Sequence, residues 1–144
     1  NTPPIIDSIV LSPSNDVTTS SSVSCSASAS DLDGDEPQVS YAWRNDNTNI
    51  QLSNSASLTL TPSIVSPGDV ISCVVTATDS GSAVGTASDS LTVVNTDPVV
   101  DSVSINPNTG ISTLSTMECV GTASDADGGT PSLSYEWFNA NTGA

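Results

Sequence analysis

Histidine and lysine are both absent from the 144 residues, and Arg44 is the only basic residue. Their absence removes the commonest general base, the usual nitrogen ligand of metals, and every lysine that forms a Schiff base or binds phosphate. Most catalytic schemes depend on one of these groups. We therefore predict that the chain is not an enzyme.

Positive charge is correspondingly scarce, since one basic residue faces 16 acidic ones and the formal net charge is -15. Such a surface repels nucleic acid and anionic membranes, whereas it attracts divalent cations or simply keeps the protein soluble. Long hydrophobic runs are also missing, because no stretch approaches the roughly 18 apolar residues of a membrane span. We expect neither a nucleic-acid partner nor membrane insertion.

Residues that favour helix interiors are few, because serine and threonine make up about a third of the chain and both suit strands and turns. Short alternating or β-branched runs are separated by clusters of proline, glycine, asparagine, aspartate and serine at spacings of about ten residues. This rhythm predicts an all-β fold. We expect strands near residues 5–11, 23–29, 39–44, 49–52, 57–61, 70–78 and 86–94.

An internal repeat sets the domain organisation. Residues 1–50 align without a gap on residues 95–144, and about 21 of about 50 aligned positions are identical. We therefore predict one complete repeat of about 94 residues in 1–94 and the N-terminal half of a second in 95–144. We expect the half repeat to be completed either by residues beyond 144 or by strands that a neighbouring subunit donates. The expected partners are thus neighbouring repeats or identical subunits.

Cys25 and Cys73 alternate with small or apolar residues in their strands, so both side chains are expected to face inward, as two buried thiols or as a bridge. With Trp43 between them, this series resembles the immunoglobulin superfamily. The resemblance implies a Greek-key β-sandwich with a Cys25–Cys73 disulfide and a core tryptophan, Trp43, whose counterpart is Trp137. Cys119, the counterpart of Cys25, has no predicted partner within the chain.

Aspartate-rich loops precede Tyr41-x-Trp43 and its counterpart Tyr135-x-Trp137. Together these motifs resemble the PKD and cadherin-like repeats of bacterial or archaeal surface proteins. That resemblance implies calcium between modules, and the alternative is that the loops are solvated turns rich in aspartate and glycine. Because an immunoglobulin sandwich gathers the N-terminus and this loop at one end, the expected calcium ligands are Asp31, Asp33 and Asp35 in the first copy, and Asp125, Asp127, Asn95 and Asp97 at the joint, with Asp16 or Asp69 as further candidates.

These features predict an extracellular structural or adhesive module, part of a stalk, shaft or filament, because cysteines paired in a small β-domain indicate an oxidising compartment. The alternative is an accessory module of a larger secreted protein that binds surface glycans or proteins. A sugar platform needs exposed rings, and only 3% of the residues are aromatic. Trp43 is expected in the core, whereas Phe138, at the position of Arg44, should point outward.

Overall fold

A computed structural model describes residues 1–34 and 36–142. The chain divides into two compact units, unit 1 over Asn1–Thr96 and unit 2 over Asp97–Ala144. This division lies two residues beyond the predicted one. The described residues contain strands, turns and bends but no helix, and their sheets are antiparallel, which confirms the all-β class. Accordingly, the described part of the chain offers no helix that is long and apolar enough to span a membrane.

The described residues of unit 1 form seven strands, and the bounds of each lie within two residues of the prediction. They are β1 (Ile5–Ser12), β2 (Ser22–Ser30), β3 (Gln38–Asn45), β4 (Ile50–Ser53), β5 (Ser57–Thr59), β6 (Val70–Thr78) and β7 (Val84–Thr92). Each strand combines β-branched or small residues in alternation with polar ones, which suits a sheet with one buried face.

Two sheets of unit 1 pack face to face as a β-sandwich, with strand orders β1-β2-β5 and β4-β3-β6-β7. A disulfide between Cys25 on β2 and Cys73 on β6 joins one sheet to the other, which confirms the predicted pair. Trp43 is fully buried and lies opposite Cys73 in the β3–β6 register. The disulfide and the indole therefore form the middle of one hydrophobic core.

The first segment of unit 1 touches both sheets. Its strand β1 pairs with β2, and Val17 then forms a parallel bridge with Val93, where the Val94 amide donates to the Val17 carbonyl at 2.7 Å. Near its start, the chain passes so close to β7 that a Cβ added at Gly85 would lie 1.9 Å from the Pro4 carbonyl oxygen. The N-terminal segment therefore closes the sandwich along the edge of β7.

Unit 2 has two strands in its described residues, β8 (Val99–Asn106) and β9 (Glu118–Ser124). Their register repeats that of β1 and β2, since Ile105 opposes Cys119 as Leu11 opposes Cys25. Residues 132–139, which correspond to β3, form no strand. In unit 1, β3 forms hydrogen bonds with β4 and β6. Among the described residues of unit 2, residues 132–139 have no counterpart of β4 or β6 with which to pair.

Local contacts also recur at the 94-residue offset. Each of the following pairs consists of a contact in unit 1 and its counterpart in unit 2. They are Ser8–Ser28 (2.7 Å) with Ser102–Thr122 (2.7 Å), Ser30–Asp7 (2.8 Å) with Ser124–Asp101 (2.9 Å), and the Thr18 amide to Ser21 Oγ (2.9 Å) with the Ser112 amide to Ser115 Oγ (2.9 Å). The hairpin of β8 and β9 thus has the register and side-chain contacts of β1 and β2, whereas the likeness does not extend to β3.

Candidate functional site

The loop between β2 and β3 is a tight aspartate turn. Asp31 Oδ1 accepts a hydrogen bond from the Asp33 amide at 2.7 Å, and the Asp31 carbonyl accepts one from the Gly34 amide at 3.2 Å. Gly34 has φ 88°, a backbone conformation that residues with a Cβ rarely adopt, so this turn favours glycine. The second carboxylate oxygen, Asp31 Oδ2, is buried without a hydrogen-bond partner in the described residues. The predicted ligand Asp35 lies outside the described residues.

The carboxylate of Asp33 binds the start of the chain. Its Oδ2 accepts hydrogen bonds from the Thr2 amide at 2.5 Å and from Thr2 Oγ1 at 2.8 Å, and the Asn1 amino group lies 4.0 Å away. The bonds from the Thr2 backbone and then from its side chain hold the pKa of Asp33 below its ordinary value. This carboxylate therefore already has donors that compensate its charge.

A third segment, the turn between β6 and β7, reaches the same end of unit 1. Asp79 is buried, accepts from the Ala83 amide at 2.8 Å, and accepts from Asn1 Nδ2 at 2.9 Å. The N-terminus and both loops thus converge at one end of unit 1. The sequence did not single out Asp79 as a site residue, and the turn motif Asp79-Ser80-Gly81 was the available signal.

The corresponding loop of unit 2 has the same local geometry. The Asp127 amide donates to Asp125 Oδ1 at 2.8 Å, and the Gly128 amide donates to the Asp125 carbonyl at 3.2 Å. Gly128 has φ 85°, close to the value at Gly34. The two aspartate turns are therefore equivalent in conformation as well as in sequence.

The remaining predicted calcium ligands are placed as follows. Asn95 is exposed, and its Nδ2 donates to the Thr96 carbonyl at 2.9 Å, while Asp97 is exposed. Asp69 instead organises the loop before β6, since it accepts from Asn45 Nδ2 at 2.7 Å and from the Ser66 amide at 2.9 Å. Across residues 1–34 and 36–142, no three histidine, cysteine or acidic side chains gather in a group that could hold a metal ion. Calcium binding by these residues therefore stays a prediction.

The aromatic residues differ sharply between the units. Trp43 is completely buried, as a core residue should be, so it offers no platform for a sugar ring. Its counterpart Trp137, predicted for the core of a completed repeat, is 49% exposed in this chain, and the outward position expected for Phe138 agrees with its exposure of 70%. Trp43 lies on β3 within the sheet β4-β3-β6-β7, whereas residues 132–139 around Trp137 form no strand, so Trp137 is not held in a comparable sheet.

An apolar surface of unit 2 was not identified from the sequence as a site. We call it the open face, and it comprises five residues whose counterparts at the 94-residue offset lie in or against the core of unit 1, namely Val103, Ile105, Met117, Cys119 and Trp137. Cys119 is a free cysteine at intermediate exposure. The repeat alignment was the available signal, because the counterparts of these residues form the core of unit 1.

Comparison with known proteins adds no relative. No protein-family model matches the chain, and it matches neither a curated protein nor a solved structure. Any functional conclusion therefore rests on the residues and contacts described above.

Proposed function

We propose that the chain is an extracellular structural or adhesive module, built from tandem immunoglobulin-like Greek-key repeats and forming part of a stalk, shaft or filament. The observation that carries this proposal is the recurrence of the same strand register and the same side-chain contacts at an offset of 94 residues. Repeated sandwiches in one chain are typical of proteins that extend a surface or space two partners apart.

The strand order supports the immunoglobulin-like topology. In the usual lettering, β1, β2 and β5 correspond to strands A, B and E, while β4, β3, β6 and β7 correspond to C′, C, F and G. The bridge from strand B to strand F, with the core tryptophan on strand C, is the further hallmark of that family. A disulfide also fits an oxidising, extracellular compartment.

The ends of unit 1 are arranged to resist a pulling force. Val17, in the segment that follows β1, forms a parallel bridge with Val93, which lies three residues before the end of unit 1. Force applied at both ends of parallel segments shears their hydrogen bonds together rather than opening them in sequence. The disulfide additionally prevents the segment between Cys25 and Cys73, which are 48 positions apart, from extending. Both features suit a module under tension.

Single-molecule stretching of the chain from its two ends tests this role. We expect unit 1 to unfold in a distinct event. Val94→Pro should lower the force of that event, because this change removes the amide that donates to the Val17 carbonyl. Reduction of the disulfide should release about 160 Å of additional contour length. Opening of unit 1 without a measurable force peak would contradict a mechanical role.

We further propose that calcium stabilises the aspartate turns. The supporting observation is Asp31 Oδ2, a buried carboxylate oxygen without a hydrogen-bond partner, because carboxylate oxygens are the ligands that calcium prefers. Asp31 and Asp125 would each provide carboxylate oxygens to calcium from the same position of their turns. No described residue competes for this oxygen of Asp31.

Thermal melting with and without millimolar calcium tests that addition. We expect the melting temperature of the chain to rise with calcium, since a ligand that binds only the folded state stabilises it. The rise should be lost in Asp31→Asn and retained in the control Asp89→Asn, whose carboxylate bonds to the adjacent Ser90 amide. Equal melting temperatures with and without calcium would refute the proposal and leave the structural role intact.

A further inference from the structure

Unit 1 has a pocket at one edge of its sandwich. The N-terminal segment closes the edge at β7, whereas β4 and β5 are the terminal strands on the other side of their sheets. A cavity of about 270 Å³ lies between β4 and the loop that follows β5, and we call it the edge pocket. Its lining includes Thr48, Ile50 and Leu52 on one wall and Pro62, Ile64 and Asp69 on the other.

A buried side chain, Asn45, holds the two walls together. Its Nδ2 donates to Asp69 Oδ2 at 2.7 Å and to the Ile64 carbonyl at 3.4 Å. Its Oδ1 accepts from the amides of Asn47 and Thr48 at 3.0 Å and 3.2 Å. Because Asn45 is completely buried and bonded to both walls, the edge pocket has its form before a ligand arrives, which lowers the free-energy cost of binding.

The edge pocket combines apolar walls with one carboxylate. Ile50 and Ile64 are 58% and 38% exposed, so both offer apolar surface to a ligand. Asp69 Oδ2 accepts from Asn45 and from the Ser66 amide, whereas Asp69 Oδ1 accepts no hydrogen bond from the described residues. A ligand with an aliphatic stem and a cationic end matches both features. Lysine has this form, because its stem can lie along apolar surface while its ammonium group reaches a carboxylate.

Two other occupants fit less well. Calcium takes about six to eight oxygen ligands, and Asp69 is the only acidic residue among the described lining residues. A second copy of these 144 residues brings no lysine, and its one basic side chain, Arg44, donates to Asn49. The matching group therefore comes from a different molecule. A net charge of -15 attracts a basic partner and speeds its encounter with the chain.

We propose that the edge pocket binds a lysine side chain on an extended segment of a basic extracellular partner protein. The lysine stem lies against Ile50 and Ile64, and the ammonium group donates to Asp69 Oδ1. The free edge of β4 lies beside the pocket and suits an extended segment. This inference rests on the adhesive part of the proposed function, for which it names the chemistry of the partner.

Three peptides of alternating threonine and valine, identical except at the central residue, test this site. One carries lysine, one carries norleucine, which keeps the stem without the charge, and one carries diaminobutyrate, which keeps the charge on a shorter stem. The lysine peptide should bind the full chain at least about tenfold more tightly than either control, because only lysine satisfies both the walls and the carboxylate. Nuclear magnetic resonance titration measures the affinities, and the amide shifts should centre on Thr48, Ile64 and Asp69.

Two variants with matched controls locate the binding. Asp69→Asn should abolish the preference for lysine, whereas Asp89→Asn, which removes the same charge from an exposed position on β7, should preserve it. Because Asp69 also organises its loop, Ile50→Ser provides an independent test at a largely exposed side chain. It should weaken the lysine peptide, whereas Val84→Ser, at a residue 51% exposed at the start of β7, should not.

Three outcomes would overturn the lysine site. Equal affinities for the lysine and diaminobutyrate peptides would show only a general attraction to the acidic surface. Equal affinities for the lysine and norleucine peptides would leave Asp69 without a role. A lysine preference that survives both Asp69→Asn and Ile50→Ser would place the site elsewhere. None of these results affects the force peak of unit 1, so they are distinguishable from a failure of the mechanical role.

Discussion

At the scale of single residues, Asp33 couples the first residues of the chain to the loop between β2 and β3. Its folded-state pKa lies below the ordinary value of 3.8 because of the hydrogen bonds from Thr2. As the pH falls, the unfolded chain takes up this proton first. The contribution of Asp33 to stability is therefore present above the ordinary pKa and is lost as the pH falls through the folded-state pKa.

This linkage predicts the pH dependence of a variant. We expect Asp33→Asn to be less stable than the native protein at pH 7, because a neutral acceptor binds the Thr2 donors more weakly than a carboxylate does. The difference should disappear as the pH falls below 3.8. Urea unfolding between pH 7 and pH 2 measures it, with Asp89→Asn as the control. A difference that persists at the lowest pH would assign the effect to packing rather than to charge.

The disulfide between Cys25 and Cys73 is a second feature whose effect on stability can be tested by changing single residues. Because 48 positions separate Cys25 from Cys73, the bridge restricts a long loop of the unfolded chain. We expect the double change to alanine to lower the free energy of unfolding of unit 1 by about 4 kcal/mol. Cys119→Ala is the matched control and should leave unit 1 unchanged. A loss below about 1 kcal/mol would mean that packing around Trp43 alone holds the sheets together.

At the scale of elements, the contact between the N-terminal segment and β7 depends on the absence of a side chain at Gly85. A Cβ there would overlap the Pro4 carbonyl oxygen, at 1.9 Å. We expect Gly85→Ala to destabilise unit 1 by about 1–3 kcal/mol, since one of the two segments has to move. Thermal or urea unfolding provides the measurement.

A truncation distinguishes this clash from a general loss of β7 stability. Deleting residues 1–4 removes the carbonyl that the new methyl group would meet. In the truncated protein, Gly85→Ala should therefore have almost no effect, and the two changes should be strongly non-additive. An equal loss with and without the first four residues would place the defect within β7 itself.

The elements also show what the sequence can and cannot predict. Alternation and turn residues predicted all seven strands of unit 1, because each strand has one buried and one exposed side. The same signal at Leu133, Tyr135 and Trp137 was equally clear, yet residues 132–139 form no strand. A strand needs a hydrogen-bonded neighbour as well as a pattern, and the pattern carries no information about whether that neighbour is present.

The candidate site was also only partly predictable from the sequence. The repeat placed Asp31 and Asp125 in equivalent turns, and topology brought the N-terminus to that end of unit 1. Spacing did not reveal that Thr2 binds Asp33 or that Asp79 binds Asn1, because side-chain hydrogen bonds across 31 and 78 positions depend on the final packing. The sequence thus indicated which segments meet but not which donor binds each carboxylate.

At the scale of the whole molecule, the β8–β9 hairpin of unit 2 has the same register as β1 and β2 of unit 1, but the two units differ in how much apolar surface they bury. Among the described residues, every hydrophobic side chain of the buried core belongs to unit 1. A two-stranded sheet without a covered face is at best marginally stable in water. Among the described residues, β8 and β9 therefore have no buried core of the kind that covers β1 and β2.

Native-state hydrogen exchange compares the units within one chain, since each amide of β8 and β9 has a counterpart in β1 and β2. We expect the Cys25 amide to exchange only through global unfolding of unit 1 and the Cys119 amide to exchange through local opening, many times faster. Equal protection of the two cysteine amides would mean that the β8–β9 hairpin is as stable as its counterpart without a buried core.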